Sequence, residues 1–195
     1  MSVCASACPN LFRPVSVAVA AASVLVSAAC LARPLVELEA AVGAVSDAGA
    51  GRSGGWRLSA AAMVPLGDAG VRGGLVLGYA AVGATAQGPF VQRHRRTSAG
   101  PFLALQAAVP IADRWQARAR FGLAHWQTAL VTTVHGAEAF DASERHVGPL
   151  IGAGLAWQWT PALALTASID VGQHRFEGLP TVRPALWSLG LSAAF

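Results

Sequence analysis

The sequence predicts an all-β protein, an eight-stranded antiparallel up-and-down transmembrane β-barrel, and three observations carry that expectation. From residue 35 onward, apolar residues alternate with small or polar ones at a period of two, which puts them on opposite faces of a strand. The connections between the alternating segments are in turn short and long. Of the 195 residues, 54% are hydrophobic and 12% charged, where a soluble domain carries about a quarter of charged residues. The composition also sets other classes aside. The 21 Gly and 11 Pro interrupt the apolar content, which disfavours a bundle of long membrane helices. All 14 basic residues are arginine, and against ten acidic ones they leave a scattered net charge of +4. No nucleic-acid surface is expected from that distribution.

Ahead of the alternating region, residues 14–32 form an uncharged stretch between Arg13 and Arg33, with small residues crowding its end. This reads as a secretory signal peptide over residues 1–32, with cleavage after Ala32 and with Ala28 and Ala29 as alternatives. A membrane anchor is the competing reading, since the stretch could span about 30 Å of hydrocarbon. Lipidation at Cys30 would call for a larger aliphatic residue than Ser27 three positions earlier. Cys4, Cys8 and Cys30 all lie in or beside this leader. The domain expected over residues 33–195 therefore has no thiol for a disulfide, a zinc site or covalent catalysis, and neither cofactor nor metal is expected.

Eight segments follow in order. In residues 35–45, Val36, Leu38, Ala40 and Val42 oppose Glu37, Glu39, Ala41 and Gly43. In residues 56–64, Trp56, Leu58, Ala60, Ala62 and Val64 oppose Arg57, Ser59, Ala61 and Met63. Leu75, Leu77 and Tyr79 oppose Arg72, Gly74, Gly78 and Ala80, and Leu103, Leu105, Ala107 and Val109 oppose Phe102, Ala104, Gln106 and Ala108. Trp115, Ala117, Ala119, Phe121 and Leu123 oppose Gln116, Arg118, Arg120 and Gly122. Ile151, Ala153, Leu155, Trp157 and Trp159 oppose Gly152, Gly154, Ala156 and Gln158. Leu163, Leu165, Ala167, Ile169 and Val171 oppose Ala164, Thr166, Ser168, Asp170 and Gly172. Finally, Ala185, Trp187, Leu189, Leu191, Ala193 and Phe195 oppose Leu186, Ser188, Gly190, Ser192 and Ala194. Tight turns are expected at Pro65–Gly70, Pro110–Arg114 and Thr160–Ala162, and long loops at residues 46–55, 84–100, 129–147 and 173–184. An even number of strands of about ten residues, with short turns on one rim and long loops on the other, is the pattern of an outer-membrane barrel.

Alternation alone does not say whether water or lipid lies outside. Were the polar face solvated it would carry Lys, Glu, Arg and Asp, whereas here it is mostly Gly, Ala and Ser. Small side chains suit the narrow interior of an eight-stranded barrel. Trp115, Trp157, Trp159 and Phe195 fall towards the short-turn end and Trp56 and Trp187 towards the long-loop end, as expected of aromatic girdles at the two lipid boundaries.

Two stretches carry a family resemblance. Residues 152–165, GAGLAWQWTPALAL, pair a glycine-bearing strand with a Thr-Pro turn and an alternating return strand, and residues 188–195, SLGLSAAF, end an alternating strand on Phe195. The chain resembles the small outer-membrane barrels of the OmpA transmembrane domain and OmpX type. That resemblance implies residence in the outer membrane of a Gram-negative bacterium, an N-terminus and short turns in the periplasm, and a monomer. It also implies recognition of Phe195 by the outer-membrane assembly machinery, although Ala193 stands where the family has an aromatic residue. The peptidoglycan-binding module of full-length OmpA is not expected beyond Phe195.

For the lumen, the candidates are Glu37, Glu39, Arg57, Arg118, Arg120 and Asp170, with Gln106, Gln116, Gln158, Thr166 and Ser168 between them. Glu37 and Glu39 on the first segment face Arg118 and Arg120 on the fifth, and an ion-pair network plugging the lumen is expected, because an unpaired charge in so narrow a space is costly. A gated small-solute pore is the alternative. No catalytic residue is expected. His125 resembles the histidine of outer-membrane lipid A deacylases, but Gln127 occupies the place of that family's serine and cannot act as the nucleophile. His94, His135, His146 and His174 fall in the long loops without ligand spacing for a metal. Arg93, His94, Arg95 and Arg96 give the second long loop a basic tip, suited to lipopolysaccharide phosphates or acidic polymers. A role in envelope structure or surface interaction is expected, with adhesion or ligand binding through the loops as the alternative.

Overall fold

The structure, a computed structural model, describes residues 35–46, 52–67, 69–87, 92–134, 137–173 and 183–195. The leader expected over residues 1–32, His135 and His174 lie outside the described residues. Eight strands follow one another: β1 (Leu35–Ser46), β2 (Arg52–Pro65), β3 (Arg72–Gln87), β4 (Gln92–Ala112), β5 (Trp115–Val134), β6 (Ala137–Gln158), β7 (Leu163–Gly172) and β8 (Ala185–Ala194). Each pairs with its sequence neighbours, and β1 pairs antiparallel with β8 to close the barrel. At the seam the Phe195 N–H donates to the Val36 carbonyl at 2.9 Å and the Val36 N–H to the Phe195 carbonyl at 3.3 Å.

The short turns are built by local chemistry. Between β2 and β3, Gly67 and Gly70 have φ of 78° and 71°, a region open to glycine at no steric cost. The Thr160 hydroxyl accepts from the Leu163 N–H at 3.0 Å and from the Ala162 N–H at 3.3 Å, a local bond that reverses the chain between β6 and β7. On β4 the register shifts between Pro110 and Ala112, where proline lacks a ladder donor.

The opposite rim departs from the expected loops. Residues 84–100 and 129–147 were expected as connections, yet β3 runs to Gln87, β4 starts at Gln92, β5 runs to Val134 and β6 starts at Ala137. Charge in these stretches marks the end of the lipid, whereas the backbone ladder continues; Thr128, Val131, Thr132, Thr133 and Val134 suit a pleated strand. β7 and β8 are ten residues long against 20 to 22 for β4, β5 and β6. Among the described residues the sheet is therefore a tall wall on the side of β4, β5 and β6 and lower at β7 and β8.

Leu38, Leu77, Phe121, Ile151, Leu189 and Leu191 are exposed on the outer face, and Ala41, Ala61, Ala104 and Ala156 are buried on the inner one. Val64, on the outward parity of its segment but opposite Gly73 beside the first turn, is buried, with the Leu66 side chain lying over Gly73. Trp56, Trp115, Trp159, Trp187 and Phe195 are exposed and Trp157 is half-buried. Trp115 pairs with Trp157 at the short-turn rim, and Trp56 stacks on Tyr79 at 5.7 Å towards the other. Between Trp115 and Leu123 the outward face of β5 climbs about 20 Å, at about 3.3 Å per residue and a tilt near 40°. That height approaches the apolar band of about 25 Å on barrels of this kind.

Leu191, outward and midway between Trp187 and Phe195 on its strand, tests this belt. Leu191→Arg is expected to destabilise the barrel in lipid vesicles by about 2–4 kcal/mol in denaturant titrations; a loss within about 0.5 kcal/mol would mean that this face is in water.

Candidate functional site: the lumen and the outer rim

Inside the barrel the alternation delivers charged side chains from four strands to two adjoining levels. Glu37 and Glu39 come from β1, Arg57 from β2, Arg118 and Arg120 from β5 and Asp170 from β7, and all six are buried. Arg57 Nη2 lies 2.6 Å from Glu39 Oε1, and Arg57 Nη1 pairs with Asp170 Oδ2. Arg120 reaches the same two carboxylates, with Nη2 at 3.5 Å from Glu39 Oε2 and Nε at 3.4 Å from Asp170 Oδ1. Arg57, Glu39, Arg120 and Asp170 thus form a closed ring in which the sign of the charge alternates. Arg118 Nη2 pairs with Glu37 Oε1 at 2.6 Å, one step nearer the short turns.

Hydroxyls from β7 and β8 complete the ring. Thr166 donates to Glu39 Oε1 at 3.0 Å, Ser168 accepts from Arg57 Nη2 at 3.3 Å, and Ser168 and Ser188 share a hydrogen bond of 3.0 Å. Among the described residues the buried charges are these three arginines and three carboxylates, so they cancel. Burying ions is tolerable when they are paired; the pairing here leaves Arg57 Nε, Arg118 Nε and Nη1, and Arg120 Nη1 buried without a hydrogen-bond partner among the described residues. Glycine makes the room. A Cβ at Gly152 would stand 2.7 Å from Arg120 Cγ and against Asp170 Oδ1, so any larger residue displaces the Arg120–Asp170 pair.

A second layer lies towards the tall rim, and the sequence reading did not assign it. Phe102, Trp126, Leu150 and Leu186 are all buried and, with Val82 and Pro184, enclose a cavity of about 20 Å³ above Arg57 and Asp170. That is room for about one water molecule. The signal was available in the alternation: Leu123 and His125 point outward, so Trp126 points in. Gly78 receives the Phe102 ring, whose Cε1 lies 2.6 Å from where a Cβ would stand. Beyond this layer Ser98 and Thr128 share a hydrogen bond of 2.9 Å, and His146 Nε2 lies 3.0 Å from the Gln173 carbonyl.

The remaining candidates sit on the wall. Residues 93–96 belong to β4 and not to a loop, and the strand divides the basic run: Arg95 is exposed on the outer face and Arg96 is half-buried on the inner one. The side chains of Arg93 and His94 lie outside the described residues. His125 and Gln127 are both exposed on β5, just above Leu123, with Val147 and Arg145 of β6 opposite them.

The Arg118–Glu37 pair isolates the energetics of the lumen. Arg118→Met alone leaves the Glu37 carboxylate buried and is expected to cost about 3–5 kcal/mol. In the Arg118→Met/Glu37→Met double variant most of that loss should return. Unfolding titrations of the two single variants and the double variant give the coupling, and additive losses would show that the pair contributes nothing of its own.

Comparison with known proteins places this geometry. No curated protein is similar enough in sequence to count as a relative. The fold matches Neisserial surface protein A, at a TM-score of 0.56 and 16% identity, over 83% of this chain and 97% of that one. It also matches Ail, the attachment invasion locus protein of Yersinia pestis, solved with the heparin analogue sucrose octasulfate, at a TM-score of 0.50 and 15% identity over the same shares of the two chains. A major outer membrane protein of Thermus thermophilus matches at 0.51 and 14% identity, over 83% of this chain and 99% of that one. In sequence, residues 53–172 match the model of the OmpA-like transmembrane domain, and with the closed eight-stranded barrel now described, the chain belongs to that outer-membrane family.

Proposed function

We propose that this protein is a sealed outer-membrane barrel whose role is exerted on its outside, as a structural and surface-interaction element of the envelope, and not by passing solutes or by catalysis. The observation that carries this reading is the filled lumen: a neutral ion-pair ring capped by Phe102, Trp126, Leu150 and Leu186, with about 20 Å³ between the two layers. Solute passage would require the ring to open and expose charges to one another unpaired. Export through the leader at residues 1–32, and assembly guided by Phe195, are part of the same reading.

Catalysis is disfavoured on chemical grounds. His125 and Gln127 share the outer face, and a carboxamide is not a nucleophile that a histidine can activate. In planar bilayers the purified barrel is expected to give no stable conducting state, and a large, long-lived open level would overturn the sealed-lumen reading.

A second reading, binding of sulfated polymers by the basic stretch of the tall wall, is favoured by exposed Arg95 on β4 and by the sucrose octasulfate bound to Ail. Retention on immobilised heparin that falls with salt and with Arg95→Gln is its expected sign. Elution at low salt, unchanged by the substitution, would dismiss it.

A further inference from the structure

The lumen carries more hydrogen-bonding capacity than its own side chains use. Arg57 Nε, Arg118 Nε and Nη1, and Arg120 Nη1 are buried donors without a hydrogen-bond partner among the described residues, and Gln116 Oε1 and Asp170 Oδ1 are buried acceptors without one. The contact of Arg120 Nε with Asp170 Oδ1, at 3.4 Å, is an ion pair and not a hydrogen bond. A buried donor left dry costs about as much as a hydrogen bond contributes, and more when it is charged. Four such atoms together would cancel much of the small net stability of a domain, so the ring is not dry. The leftover atoms include donors and acceptors, and the buried charges among the described residues already cancel. A neutral molecule that both accepts and donates fits that set, whereas a bound ion would leave an uncompensated charge in a narrow interior.

Two places in the lumen suit such a molecule. Arg57 and Asp170 both line the cavity of about 20 Å³ beneath the cap, a volume that holds about one water. One water there can accept from Arg57 Nε and donate to Asp170 Oδ1. Lower down, Gln116 and Arg118 are consecutive inward residues of β5, about 7 Å apart, and a second water can accept from Arg118 and donate to Gln116 Oε1. Gln116 and Gln158 are half-buried beside the short turns and offer this polar column an entrance from that rim. At the other end it stops. Phe102, Trp126, Leu150 and Leu186, from β4, β5, β6 and β8, are each at most 4% exposed. A layer of apolar atoms strips water of its hydrogen bonds and so excludes it. Above that layer the interior is polar again, with the bond between Ser98 and Thr128.

We infer that the ion-pair ring is a water-binding site entered from the short-turn side, with one molecule held between Arg57 and Asp170, and that the apolar layer of Phe102, Trp126, Leu150 and Leu186 is the barrier that stops water from crossing. The ring keeps ions out by holding its charges paired, and the cap keeps the barrel closed to water. The inference rests on the sealed-lumen reading and assigns the seal against water to one of its two layers.

The test places the full-length barrel in lipid vesicles and reads osmotic water permeability by stopped-flow light scattering, with heat-shifted gel migration verifying that each variant is folded. Wild type is expected to match protein-free vesicles, and Trp126→Ala to raise water permeability several-fold. The Arg118→Met/Glu37→Met variant, which alters the polar column and leaves the cap intact, is expected to stay at the wild-type level. Should Trp126→Ala not fold, Leu186→Ala carries the comparison. In nuclear magnetic resonance of the wild type, the Nε–H signals of Arg57 and Arg118 are expected to receive magnetisation from bound water. No such transfer at either arginine, water passage through the Arg118→Met/Glu37→Met variant, or unchanged permeability in a folded cap variant would each overturn the inference. Wild type that passes water but no ions would overturn it too and leave the sealed-lumen reading standing, whereas ion conductance of the wild type would overturn that reading itself.

Discussion

A sheet that lies in hydrocarbon has no water to satisfy the backbone groups along its edges, so it must close upon itself. In this chain the closure is the pairing of β1 with β8, finished by the reciprocal bonds between Val36 and Phe195. Closing eight strands fixes the circumference, and the circumference leaves an interior just wide enough for side chains to fill. The other main properties of the molecule follow from that narrowness. A polar group inside cannot be solvated in bulk and must be matched by a neighbour, and a large group inside needs a small one opposite.

The lumen answers both demands in the same place, pairing its charges and making room for its large groups. The ring of Arg57, Glu39, Arg120 and Asp170 satisfies charge with charge, while Gly152 and Gly78 yield the volume that Arg120 and the Phe102 ring occupy. Sequence positions far apart become interdependent in this way: Asp170 and Arg57 are separated by 113 residues and by several strands of the meander, yet neither is tolerable without the other. The cap of Trp126, Phe102, Leu150 and Leu186 obeys the same rule with apolar atoms.

Much of this was legible because a period of two is an unambiguous code for inside and outside once closure is granted. Glu37, Glu39, Arg57, Arg118, Arg120 and Asp170 share the parity of Gly and Ala on their strands, and that parity alone placed them in the lumen. What alternation does not encode is height. Parity says that Trp126 is inward but not that it stands level with Phe102, since that depends on the stagger between strands. The same limit hid the wall. Arg93, Arg95 and Arg96 carry charge that suggests a loop, but backbone pairing is indifferent to side-chain charge once the strand has left the lipid.

The unequal strand lengths have a consequence for direction. Within the bilayer an eight-stranded barrel is nearly a cylinder, and a cylinder offers no bearing in the plane of the membrane. Above the lipid, β3 to β6 rise on one flank while β7, β8 and β1 stop low. The molecule therefore has a front and a back. Among the described residues, an approach along the membrane plane meets taller sheet on the flank of β3 to β6 than on that of β7, β8 and β1, and each barrel carries a compass mark that its lipid-embedded part lacks.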